Sequence, residues 1–142
     1  MPVLKNYDSY WFDYPNDPHG GRIEIQYLNE GKKAELKEKV SPTHAKINEK
    51  KKVEIGMDFK TVLTREETAV SYIKDWENFY DGKKVKGYPN GKEMKCNRAN
   101  KIRFSSEDGF MTFVTECIEE VEGRIKKLKE EEEKNLKTSQ DG

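Results

Sequence analysis

Hydrophobic and polar positions alternate most cleanly over Arg22-Ile23-Glu24-Ile25-Gln26-Tyr27-Leu28. Ile23, Ile25 and Tyr27 fall on one face, and Arg22, Glu24 and Gln26 on the other, which predicts a half-buried strand. Val53, Ile55, Met57 and Phe59 alternate with polar neighbours or glycine in the same way. They predict a second strand over 53–60, paired antiparallel with 22–28. Elsewhere the period changes to that of a helix. Asn29 is placed to cap a helix over 30–39, with a thin stripe of Ala34, Leu36 and Val40 and a stop at Ser41-Pro42. Thr64 and Glu67 have the spacing of a capping box, followed by Ala69, Val70, Tyr72, Ile73 and Trp76 at helical intervals. This predicts a central helix over 65–76, with Trp76 buried between the sheet and the longest helix. Asn97 is placed to cap a short helix through Phe104. Ser105 or Ser106, backed by Glu107 and Asp108 at the positive end, is placed to cap the longest one. There Phe110, Phe113, Val114, Cys117, Ile118, Val121, Ile125 and Leu128 keep the three/four spacing over five turns, the strongest periodicity in the chain.

These elements predict an α+β fold: a small antiparallel sheet packed by two or three helices, with a long charged C-terminal helix. Residues 1–21 gather Tyr7, Tyr10, Trp11, Phe12 and Tyr14, then Pro15, Pro18, Gly20 and Gly21. Prolines and glycines at that density exclude a long helix and predict an extended aromatic arm. Residues 22–128 form the single domain. Between 77 and 95, Asp81-Gly82 and Pro89-Asn90-Gly91 predict a turn-rich, hairpin-like excursion. Residues 129–142 are expected to be a charged helical extension with a disordered end from Thr138. Pairs such as Lys126–Glu130 and Glu133–Lys137, four residues apart and of opposite sign, support such a helix in water.

Composition narrows the classes. Of 142 residues, 27 are Lys or Arg and 27 are Asp or Glu, so the net charge is zero. Leu, Ile, Val and Phe total 28 residues, about 20% of the chain and close to the level of disordered sequences. The 11% aromatic content favours a folded core instead. No run of 18 apolar residues suits a membrane span. Met1–Tyr10 has neither the basic start nor the apolar core of a secretory signal. Two cysteines cannot make a disulfide framework, and a reducing cytoplasm is expected.

The candidate chemistry is sparse. His19, His44, Cys96 and Cys117 have no metal-ligand spacing, and no metal or cofactor is expected. Asp13, Asp17, Glu54, Asp58, Asp75 and Glu77 could be nominated as acids or bases, but none accompanies a histidine or second carboxylate in a local motif. Gly20-Gly21 precedes a strand rather than a helix, and Gly87–Gly91 lacks the lysine of a phosphate loop. The basic stretches at 46–52 and 83–86 lie among carboxylates, so nucleic acid is not expected as a partner.

One ordered set of residues is familiar: Met57-Asp58-Phe59, Val70 to Trp76-Glu77, Asp81-Gly82-Lys83, Cys96-Asn97 with Asn100-Lys101, then Phe110 and Phe113-Val114. Over roughly residues 22–122 it resembles small proteins of the tail gene clusters of long-tailed bacteriophages and prophages, known as tail assembly chaperones or minor tail proteins. The excursion at 84–94 and the charged last helix depart from that pattern. The resemblance implies no catalysis. It implies a helper in the cytoplasm of the bacterial host that binds and solubilises the tape-measure protein before the tail tube polymerises.

Such a helper needs a limited apolar surface for transient contact. The candidate partner-binding residues are Tyr10, Trp11, Phe12 and Tyr14 on the arm, and Val121, Ile125 and Leu128 on the last helix. Two other classes stay open: a structural virion protein of the tail tube or head–tail joint, and a small phage-encoded inhibitor of a host protein.

Overall fold

The computed structural model describes residues 9–41, 59–84 and 86–141, with the backbone alone for Phe59 and residues 137–141. Arg22–Ile25 form the middle strand, β2, of a three-stranded antiparallel sheet. Ile23 and Ile25 point into the core and are fully buried. On one side lies β1, Tyr10–Asp13, with Tyr10 opposite Ile25 and Asp13 opposite Arg22. The expected aromatic arm therefore joins the sheet over these residues. On the other side lies β3, Ile73–Glu77. The α+β class is as expected, but the partners of β2 are β1 and β3. Residues 53–58 of the expected partner strand lie outside the described residues. Phe59 and Lys60 already belong to a helix.

The first helix, α1, spans Glu30–Lys39, and the Asn29 side chain accepts from the Lys32 N–H at its start, as expected. It buries no residue and is tied to the body by Lys33, whose ammonium lies 3.1 Å from Glu122. The second helix, α2, spans Phe59–Tyr72 and begins six residues before the expected start. Thr64 is consequently no cap. Its hydroxyl donates to the Lys60 carbonyl one turn back, the usual resting place of a threonine inside a helix. Glu67 is buried and pairs with Arg98 at 2.5 Å.

The predicted helix over 65–76 ends early, at Tyr72, and β3 follows without a connecting residue. Register explains the misreading. Glu24 faces Asp75 while Ile25 faces Ile73, so Lys74 is an extra residue in the ladder. This bulge returns Ile73 and Trp76, three residues apart, to the same buried face. The apolar spacing of a helix is thus produced by an irregular strand. Gln26 seals the junction: its backbone N–H donates to the Tyr72 carbonyl at 2.9 Å and its side-chain amide to the Ser71 carbonyl at 2.6 Å. Two carbonyls at the helix end are satisfied this way, where a helix otherwise leaves four open.

The excursion expected over 77–95 is closed at its base as in a hairpin, with Tyr80 bridging Glu93 and the Met94 N–H bonded to the Phe79 carbonyl. Gly91 closes it at φ +85°, where a Cβ would sit 2.8 Å from the Lys83 nitrogen, so only glycine fits. The third helix, α3, spans Arg98–Ser105 and is capped by Asn97 as expected. Ser105 and Ser106 do not cap the long helix. Their hydroxyls donate back to the Ile102 and Arg103 carbonyls and finish α3. The long helix, α4, starts at Phe110 after Gly109 and runs to Asp141, through part of the segment expected to be disordered.

The core lies between the sheet and one stripe of α4: Phe110, Val114, Cys117, Val121 and Ile125 are all buried. Trp76 is buried as expected, stacked on Phe79 at 5.0 Å with Phe104 edge-on at 5.2 Å. No helix among the described residues is long and apolar enough to cross a membrane.

Candidate functional site

The expected partner-binding residues divide among three places. Tyr10 and Phe12 share the face of β1 that packs on the core, and the Arg124 guanidinium of α4 covers them at 4.7 and 5.5 Å from the ring centres. Trp11 lies on the other face under the Arg22 guanidinium at 4.9 Å. Tyr14 packs on Phe113, Phe79 and Phe110 with ring centres 5.0 to 6.2 Å away. Val121 and Ile125 are each 1% exposed and belong to the core, whereas Leu128 is 41% exposed. The docking stripe expected on the last helix thus shrinks to Leu128, with Leu136 farther along at 63% exposure. The core stripe of α4 runs on through Val121 and Ile125 before it reaches exposed Leu128.

Met57 and Asp58 lie outside the described residues, and several other residues of the familiar set border one packed unit around Trp76. The Trp76 indole N–H donates to the Met94 carbonyl at 2.7 Å. One Asp81 carboxylate oxygen accepts from the Lys83 and Lys92 N–H groups and pins the excursion. The Asn100 side chain donates to the Lys95 carbonyl at 2.8 Å, beside the Asn97 cap. Here the motif residues shape the backbone between β3 and α3.

That shaping opens a cleft of about 780 Å³. Three loops wall it: Tyr14 to His19 between β1 and β2, Asn78 to Gly82 after β3, and the α3–α4 turn at Ser106 to Asp108. Half-buried Tyr14, Tyr80 and Phe104 line it, over buried Phe79, Met94 and Phe110. Its charged lining residues are Asp17, Asp81, Glu107 and Asp108 against Lys84 and Arg103. Asp17 is held in place by accepting from the His19 and Gly21 N–H groups, each at 2.9 Å. Asn78 joins two of the walls, donating from its side chain to the Gly20 carbonyl at 3.0 Å with φ +60°. Burial, then the charges of Asp17 and Glu107, raise the Tyr14 phenol above its ordinary pKa. Carboxylates from two separate loops therefore act on the same hydroxyl. Sequence reading missed this cleft because it is assembled from distant segments. The only local signals were the turn residues Pro15, Pro18, Asp81-Gly82 and Gly109.

The nominated chemical groups have structural partners. Asp13 and Glu77 both pair with Arg22, at 3.5 and 3.6 Å, and Asp75 accepts from the Trp76 N–H. Glu54, Asp58, His44 and Lys50–Lys52 lie outside the described residues. His19 packs edge-on against Tyr80. Burial pushes the Cys96 thiol up to about 11 and the Cys117 thiol to about 12, so neither is a thiolate at neutral pH. Among the described residues no group of three or more His, Cys, Asp or Glu side chains could hold a metal ion. No protein-family model, curated protein or solved structure matches the chain.

Proposed function

We propose that the chain is a non-catalytic tail assembly chaperone of a long-tailed bacteriophage or prophage, acting in the cytoplasm of the bacterial host. In this reading it binds the tape-measure protein and keeps it soluble until the tail tube forms around it. The observation that carries the reading is the role of the familiar residues. Trp76, Asp81, Asn97 and Asn100 make backbone-directed hydrogen bonds within the segment that forms the cleft. The residues that carry the resemblance thus hold the backbone that borders the cleft, which supports reading the cleft as the place where a polypeptide client is held. A cleft of about 780 Å³ can receive several side chains but is small against a standard protein interface, as suits transient holding.

The test is co-expression with the tape-measure protein of the same tail gene cluster. The expected result is a soluble complex of the two, and an aggregated tape-measure protein when this chain is omitted. A second reading, a structural virion protein, is favoured by the position of β1 at an edge of the sheet, where another strand can add. Recovery of the chain from purified particles, with no effect on tape-measure solubility, decides for that reading.

A further inference from the structure

We propose that the cleft between the β1–β2 loop, the 78–84 loop and the α3–α4 turn binds a short polypeptide segment carrying lysine or arginine next to an aromatic side chain. It rests on the chaperone reading only in assigning that segment to the client.

The floor sets the apolar half of the ligand. Tyr14, Tyr80 and Phe104 are half-buried and present ring surface to the cleft. Phe79 and Phe110 behind them are 6% and 1% exposed, so the floor is backed by packed rings and holds its shape. An aromatic side chain entering here gains edge-to-face contacts in addition to the apolar area it buries.

The rim sets the charged half. Four carboxylates line the cleft against two cations, Lys84 and Arg103, in a chain whose overall charge is zero. The excess is local and directed. Asp17 is oriented by two backbone N–H groups, and Glu107 faces the same Tyr14 hydroxyl from the opposite wall. Burial first, and then these two carboxylates, raise the pKa of that phenol. A cation seated there is paired with fixed carboxylates and can also lie over an aromatic face. An acidic segment meets like charge and an apolar floor it cannot reach without desolvation.

Glu107 and Asp108 are exposed and stand in the turn just before α4. Reversing them gives up a favourable charge at the helix start but removes no buried group, so the fold is retained. The probe is a fluorescein-labelled peptide of alternating lysine and phenylalanine, with its glutamate–phenylalanine counterpart as control, read by fluorescence anisotropy. The expected result is saturable binding of the lysine peptide alone, weakened by salt. Glu107→Lys combined with Asp108→Lys weakens it about tenfold or more while the circular dichroism and a cooperative melt are retained, and Lys84→Glu tightens it. Equal binding of both peptides, or lysine-peptide binding unaffected by both sets of substitutions, overturns the inference. The assay contains no client. If the peptide results hold while wild-type protein fails to solubilise the tape-measure protein, the chaperone reading falls and the cleft stands. If the reversed-charge variant still solubilises it as wild type does, the client does not use the cleft, and the assignment of the bound segment to the client is overturned.

Discussion

Trp76 donates its indole N–H to the backbone carbonyl of Met94, 2.7 Å away in the core. The bond ties the end of the sheet to the far side of the excursion, 18 residues later. Trp76→Phe keeps most of the ring stack but leaves that carbonyl without its donor, at a cost of about 1–3 kcal/mol. Trp76→Ala also empties the ring's place against Phe79 and Phe104, at a cost of about 3–5 kcal/mol. Urea unfolding followed by circular dichroism separates the two. Equal losses for both variants show that the hydrogen bond dominates and the packing does not.

The last helix divides into a part that is core and a part that is not. Ile125 is 1% exposed, and its change to alanine is expected to cost about 2–5 kcal/mol. Ending the chain after Arg124 removes Ile125 altogether and should abolish the cooperative thermal transition. Ending it after Glu130 keeps Ile125, Leu128 and the Lys129 amine that donates to the Tyr27 hydroxyl at 2.8 Å. That shorter chain should melt within about 3 °C of the full one. A large loss of stability on the second cut assigns a folding role to the distal turns.

Arg98 holds the buried carboxylate of Glu67 and fastens α3 to α2. The hydrogen bond to Glu67 is the main reason its guanidinium is held above its ordinary pKa, against the opposing effect of burial. Arg98→Ala strands a carboxylate whose side chain is only 8% exposed, which should cost about 1–3 kcal/mol. Adding Glu67→Gln should return part of that loss, because the stranded charge is removed. A double variant no more stable than Arg98→Ala shows that the contact is packing alone.

The two thiols give the chain a sensitivity to alkali. Burial raises Cys96 from 9.0 to about 11 and Cys117 from 9.0 to about 12. Above pH 9 the unfolded thiols ionise while the folded ones keep their protons, so the folded state binds more protons and stability falls as pH rises. The contribution is complete below pH 9 and is lost progressively up to about 12. Melting temperatures between pH 8 and 11 should drop less in a Cys96→Ala, Cys117→Ala variant than in the wild type. Iodoacetamide at pH 8 should label the native thiols far more slowly than the urea-unfolded ones.

The elements legible in the sequence were those whose signal is local. Asn29 and Asn97 cap helices because a short side chain before a helical run can reach the third backbone N–H. Ile23 and Ile25 announced β2, and the stripe from Phe110 to Ile125 announced α4. The missed elements depended on distant partners. The bulge at Lys74 gave β3 the spacing of a helix, and the aromatic run Tyr10–Phe12 showed its strand character only beside β2. The cleft follows the same logic: Asp17, Asp81 and Glu107 share a space only after the sheet and the α3–α4 turn have formed.

The direct passage from α2 into β3 has a mechanical consequence. Tyr72 ends the helix, Ile73 starts the strand, and Gln26 of the neighbouring chain segment grips the joint. There is no slack to absorb a displacement. A pull on α2 therefore reaches the Ile25–Ile73 pairing directly. Held at one end by a partner, the domain should transmit force through this seam as a single stiff piece.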